Sequence, residues 1–138
     1  MNAENNEADF VKTFVRPAKR ARYAALLRSS KNRKKIVDRL NHWHDLDTRF
    51  ASRIPPSQQN ARAIANVVRA KGAGRDVHVI SSNPDIDGHS MPLDAALDAT
   101  IGMGYGTVII CIPGRLAYFE SEDPGERYIL ERAAEAAV

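Results

Sequence analysis

Residues 76–93 read DVHVISSNPDIDGHSMPL, and the rest of the chain is organised around them. Val77, Val79 and Ile80 form a short β-branched run broken by His78, a composition that suits a pleated, buried strand. Residues 81–89 then carry two serines, Asn83, Pro84, two aspartates and Gly88, which is turn chemistry. Ser90 fits a helix N-cap, and Pro92 fits the first helical turn, where a missing N–H does no harm. Leu93, Ala96, Leu97, Thr100 and Ile101 follow at helical spacing before Gly102, so a helix is expected over 91–101. Strand, polar loop, helix is the reading of this stretch. In open α/β sheets, ligands bind beyond the carboxyl ends of the strands. The loop holds that position, so the sequence puts its candidate site there.

Downstream, residues 107–112 read TVIICI, a continuous apolar strand whose two faces both need cover. Pro113-Gly114 suits a tight turn, and 115–120 returns as an antiparallel strand. Asp123, Pro124 and Glu126 have the pattern of a capped helix start, which predicts a last helix carrying Ile129, Leu130 and Ala133. Upstream, 50–54 reads as a short strand stopped by Pro55-Pro56. Ser57 then caps a helix through Lys71 whose apolar side is Ala61, Ile64, Ala65, Val67 and Val68. At the N-terminus, Phe10, Val11, Phe14 and Val15 form one helical stripe, and Pro17 ends it. A second helix follows over 18–28. A third over 31–46 places Ile36, Val37, Leu40, Trp43 and His44 on one face.

The element order over 48–138 is βαβαββα. It predicts an α/β fold: a single domain with a small mixed sheet of three parallel strands and one antiparallel hairpin strand, covered by helices. A basic helical N-terminal region over 1–47 precedes it. Right-handed crossovers put both linking helices on one face and leave the other face of TVIICI to the N-terminal helices.

A chain of 138 residues is long enough to bury a core as one domain. With 43% hydrophobic and 27% charged residues it is neither disordered nor membrane-like in composition. One cysteine forms no internal disulfide, the opening MNAENNEADF lacks the zones of a signal peptide, and no apolar run approaches the ~20 residues of a membrane span. A cytoplasmic location with no membrane partner is the expectation. Charge is uneven: residues 1–75 hold 17 Lys or Arg and 6 acids, a net +11, whereas residues 76–138 hold 3 bases and 11 acids, a net −8. Such asymmetry points to a nucleic acid, an acidic protein partner, or copies of the chain docking as a homo-oligomer.

Asn83-Pro84-Asp85-Ile86-Asp87-Gly88-His89-Ser90 is the first signal with possible chemistry in it. Two aspartates at i and i+2 after a strand suit a hard divalent cation. The stretch is similar to the first metal motif of the DHH phosphoesterases and family II pyrophosphatases, His-x-Asn-Pro-Asp-x-Asp. That resemblance implies Asp85 and Asp87 as metal ligands and a metal-dependent phosphoester hydrolase or anion-sensing domain. Ser81 stands where the motif carries its histidine, and no Asp-His-His triplet follows in this chain. The same aspartates resemble the start of an EF-hand loop, without its closing glutamate. The other reading is a polar turn whose Asn and Asp side chains bond the backbone. The candidate ligand-binding set is Asn83, Asp85, Asp87, His89 and Arg115. Arg115 joins it because it leaves the carboxyl end of TVIICI, where it would grip an anion or pair with the aspartates.

The glycines around Tyr105 follow a helix and precede a strand, the wrong order for a phosphate cradle. Cys111 lies among isoleucines and reads as an inert buried thiol. His42 and His44, two apart, do not share a helical face, and no serine, cysteine or threonine sits in a nucleophile motif.

Residues 10–39 hold eleven Lys or Arg and one acid, Asp38. Lys19, Arg20, Lys31, Lys34, Lys35 and Arg39 are the candidate nucleic-acid contacts, without a helix-turn-helix or zinc-finger pattern. The alternatives are a solvated face or docking onto the acidic residues Glu120, Glu122, Asp123 and Glu126. The leading functional expectation is a non-enzymatic binding or regulatory module. A metal-dependent hydrolase and a protein-interaction or self-assembling domain stand beside it.

Overall fold

Strand β4 (Thr107–Ile112) sits near the middle of a six-stranded sheet. Its side chains alternate between two cores: Val108 and Ile110 face one layer, Ile109 and Cys111 the other. The computed structural model describes residues 3–132. The other strands are β1 (Ala51–Arg53), β2 (Asp76–Ser81), β3 (Ser90–Pro92), β5 (Leu116–Glu120) and β6 (Arg127–Glu131). Their order across the sheet is β1-β6-β5-β4-β2-β3.

Every neighbouring pair in this sheet is antiparallel. The expectation of three parallel strands is therefore overturned, and the cause lies in the opening stretch. Gly88 adopts φ +77°, a left-handed conformation open to glycine, and its N–H donates to the Val79 carbonyl at 2.8 Å. The chain folds back, and residues 90–92 pair with β2 as β3. Ser90 thus lies in a strand and caps no helix. Helix α5 (Leu93–Thr100) starts after this reversal, so the strand it delivers, β4, runs opposite to β2. β1 and β2 do point the same way, but β6, β5 and β4 lie between them.

The last helix expected from Asp123-Pro124-x-Glu126 is a strand. Ser121 Oγ accepts from the Asp123 N–H at 3.1 Å, Gly125 turns at φ +82°, and β6 runs beside β5. Leu130 faces one core and Ile129 the other, a period of two that the helical reading of the Ile-Leu pair missed. Ala133 lies outside the described residues.

The N-terminal layer is α1 (Ala3–Phe14), a 3₁₀ turn at Pro17–Lys19, α2 (Arg20–Leu27), and α3 (Arg33–Val37) running into a 3₁₀ turn at Asp38–His42. The single helix expected over 31–46 is broken in this way, and Trp43 is already extended. The helix expected to start at Ser57 begins later: Asn60 Oδ1 caps α4 (Ala61–Ala70) by accepting from the Ala63 N–H at 2.9 Å. Phe10, Phe14, Tyr23, Ile36 and Leu40 press on Ile80, Val108, Ile110 and Phe119. Ile64 and Val68 of α4 and Leu93 and Leu97 of α5 cover the opposite face. Each such fully buried side chain contributes about 1.5–3 kcal/mol, so both layers are fastened to the sheet by its alternation. No helix among the described residues is long and apolar enough to cross a membrane.

Candidate functional site

The β2–β3 loop is held by its own polar side chains. Asn83 Oδ1 accepts from the Asp85 N–H at 3.0 Å, and Ser81 Oγ accepts from the Asn83 N–H at 3.0 Å. Asp87 Oδ1 accepts from the Ser81 N–H at 2.9 Å. Asp87 also takes Arg33 Nε at 2.7 Å and Arg33 Nη2 at 2.9 Å. Three donors thus occupy its two oxygens. Asp85 and His89 are exposed, and His89 is fixed through its carbonyl, which accepts from the Val79 N–H at 2.9 Å.

Arg115 is elsewhere. The β2–β4 register sets Ser81 opposite Thr107 and His78 opposite Ile110, so β4 starts beside the loop and ends at the far side of the sheet. Antiparallel pairing therefore carries Arg115, in the β4–β5 turn, away from Asp85 and Asp87. The structure brings Asn83, Asp85, Asp87 and His89 into one loop and leaves Arg115 out. Among the described residues no three His, Cys, Asp or Glu side chains gather as a metal-binding group.

The Asp87 carboxylate is one end of a partly buried chain of charge. Arg33 reaches Glu7 Oε1 with Nη1 at 2.7 Å and Oε2 with Nη2 at 2.8 Å, and the same Oε2 meets His78 Nε2 at 2.7 Å. Burial alone would raise the Glu7 carboxyl. Hydrogen bonds from His78 and Arg33 outweigh it and hold Glu7 below the usual carboxylate range. A second buried acid shows the opposite balance. Glu120 accepts from Tyr118 Oη at 2.7 Å and from the Gly102 N–H at 3.0 Å, yet burial still raises its carboxyl.

The basic residues divide into two groups. Arg20 donates to the Val15 carbonyl at 2.8 Å and lies 3.7 Å from Asp47. Lys34 pairs with Asp38 at 2.7 Å, and Arg39 lies 3.5 Å from Asp45. Lys19, Lys31 and Lys35 have no carboxylate partner among the described residues, and the same holds for Lys12, Arg16, Arg22 and Arg28. Seven cations of the N-terminal layer thus have no carboxylate partner among the described residues. The acidic residues do not come round to meet them: Glu120 is buried, Glu126 accepts from Tyr128 Oη, and Glu122 and Asp123 lie 3.7 and 3.1 Å from His42.

No family model, curated protein or solved structure matches this chain.

Sequence reasoning gave no role to Glu7 or Arg33 and read His78 only as a strand residue, buried or at an edge, which is where it lies. One signal for Glu7 was present. It sits three and four residues before Phe10 and Val11, so an acid lies on the apolar stripe of α1 and needs a buried partner. Nothing local marked Arg33 among its basic neighbours, because its partners lie 26 and 54 residues away.

Proposed function

We propose that the chain is a binding module that holds the phosphate backbone of a nucleic acid against its N-terminal helical layer. The observation that carries this reading is the set of seven Lys and Arg side chains between residues 12 and 35 without carboxylate partners among the described residues. Ordinary surfaces intersperse both signs of charge. Here Asp38 is the single acid of residues 10–39, and Lys34 already takes it.

The reading concerns phosphates rather than base edges. Beside α1, with 12 residues, the helices of this layer are short, eight residues in α2 and five in α3, and α2 packs against both of the others. A recognition helix projects into a groove, which these do not. The affinity is therefore electrostatic, independent of sequence and steeply dependent on salt.

Fluorescence anisotropy with a labelled duplex and a labelled RNA hairpin tests this across a salt series. The logarithm of the binding constant should fall linearly with the logarithm of salt concentration, with a slope reaching about −6 if all seven cations engage a duplex. An anisotropy that stays flat with both probes at the lowest salt would remove the proposal.

A further inference from the structure

Glu7 of α1, His78 of β2 and Ser90 of β3 stand in line. Glu7 Oε2 is 2.7 Å from His78 Nε2, and His78 Nδ1 is 3.5 Å from Ser90 Oγ. We propose that these three side chains are a hydrolytic triad that cleaves small, uncharged carboxylic esters, an activity separate from the basic layer.

The sheet register produces the alignment. His78 and Ser90 are directly opposed in the register, and next to them the Val79 N–H donates to the His89 carbonyl at 2.9 Å, which leaves His78 and Ser90 as the narrow pair of the ladder. Side chains of the narrow, unbonded pair lie close together on one face. That face is the one α1 covers, which is how Glu7 arrives behind the imidazole.

The tautomer follows from the acid. An ionised Glu7 only accepts, so Nε2 carries the imidazole proton and Nδ1 is left with a lone pair facing the Ser90 hydroxyl. Glu7 in turn is held by Arg33, which also binds Asp87, so the carboxylate that orients the imidazole is itself fixed in place. The 3.5 Å separation is long, as catalytic contacts often are before substrate closes the site.

The place is open where it has to be. Ser90 is exposed, whereas His78 is only 2% exposed. Both line a cleft of about 270 Å³ that also takes in Asn6, Ile110, Cys111 and Pro113. Its size is just under the roughly 300 Å³ at which drug-sized pockets begin, so it suits a short acyl group. Asp76 at the same cleft disfavours an anionic one. Asn6 is 5% exposed, and its side-chain amide has no hydrogen-bond partner among the described residues. It is the available N–H donor for a carbonyl oxygen that gains charge. Cys111 is not the nucleophile: burial pushes its thiol up to about 12.

In the first step Ser90 Oγ bonds to the acyl carbon, its proton moves to His78 Nδ1, and the carbonyl π pair moves onto oxygen. The tetrahedral species collapses and breaks the bond to the alcohol, which leaves with the proton from Nδ1. Solvent water then repeats both halves on the acyl-Ser90 ester, releasing the acid and restoring the hydroxyl. Ser90 and His78 are the catalytic residues; Glu7 and Arg33 position the imidazole.

The test treats the whole chain with a biotinylated fluorophosphonate and separately with p-nitrophenyl butyrate. Fragmentation mass spectrometry should place the phosphonyl adduct on Ser90, and hydrolysis in Ser90→Ala should fall to the buffer rate. Ser90 is exposed, so that variant should keep the wild-type unfolding midpoint and the nucleic-acid affinity. Glu7→Gln should lower kcat on the order of 100-fold with KM unchanged, and Glu7→Asp should recover part of the loss. An unmodified Ser90, or equal hydrolysis by wild type and Ser90→Ala, would overturn the triad.

Discussion

Arg33 and Glu7 meet through both arms of the guanidinium, Nη1 on Oε1 at 2.7 Å and Nη2 on Oε2 at 2.8 Å. The same guanidinium holds Asp87, so one side chain ties α1, α3 and the β2–β3 loop together. The three groups keep 20%, 10% and 16% of their side-chain surface, respectively for Arg33, Glu7 and Asp87.

Removing the cation strands two partly buried carboxylates. Arg33→Met should cost about 3–5 kcal/mol of unfolding free energy, measured by urea titration. Arg33→Lys should recover little, because a point charge cannot serve two planar carboxylates at once. A loss under about 1 kcal/mol would mean the two acids find other partners.

Glu7 and Glu120 pull the pH dependence of stability in opposite directions. Glu7 is held below its ordinary 4.5, so its contribution is whole above pH 4.5 and is lost as pH falls through the lowered folded value. Glu120 is raised above 4.5, so its contribution is whole below pH 4.5 and is lost as pH rises through the raised value. The gap in urea midpoint between wild type and Glu7→Gln should therefore narrow below pH 4.5. Relative to wild type, Glu120→Gln should gain as pH rises above 4.5. A gap that does not change with pH would acquit either residue.

Gly106 touches the main chain of Leu40 and Asn41 so closely that a methyl group there would collide with backbone atoms. Its N–H donates to Asn41 Oδ1 at 2.7 Å, and that same oxygen accepts from Ser82 Oγ at 2.7 Å. Gly106→Ala should cost about 3 kcal/mol or prevent folding, judged by circular dichroism and thermal melting. Gly74, whose added methyl would meet nothing within 4 Å, is the control and should tolerate alanine.

The strands β2, β4 and β5 could be read from their β-branched and aromatic runs, because burial on both faces leaves a continuous apolar signature. β3 could not. Three residues ending in proline carry no strand pattern, yet they reverse the chain and set the direction of everything after them. β6 was hidden by a capping pattern at residues 123–126 that serves a turn instead. The loop's Asx chemistry was legible in Asn83 and Asp85. The partners of Asp87 and His78 were not, since they arrive from helices far away in sequence.

The basic layer makes its own prediction. Lys31→Gln and Lys35→Gln should each reduce the salt slope of nucleic-acid binding by about 0.9. Both side chains are exposed and have no carboxylate partner among the described residues, so stability should stay within about 0.5 kcal/mol. A slope identical to wild type in the double variant would shift the contact to other cations.

Cys111 should ignore thiol reagents in the native state, since the residue is 8% exposed and burial pushes its thiol up to about 12. Its modification near neutral pH should track the rate of unfolding. Immediate reaction in buffer would show that the thiol is reached without global unfolding, through the cleft it borders or by local opening of β4.

β1 has one hydrogen-bonded neighbour, β6. During synthesis β1 leaves the ribosome long before residues 127–131 do, and until then its main-chain groups have nothing in the sheet to pair with. The nascent chain can assemble β2 to β5 beneath the N-terminal helices, but the other margin stays unfinished. Until residues 127–131 clear the exit tunnel, the emerging protein has one border open, the state in which a chaperone, or a neighbouring nascent chain, would find it.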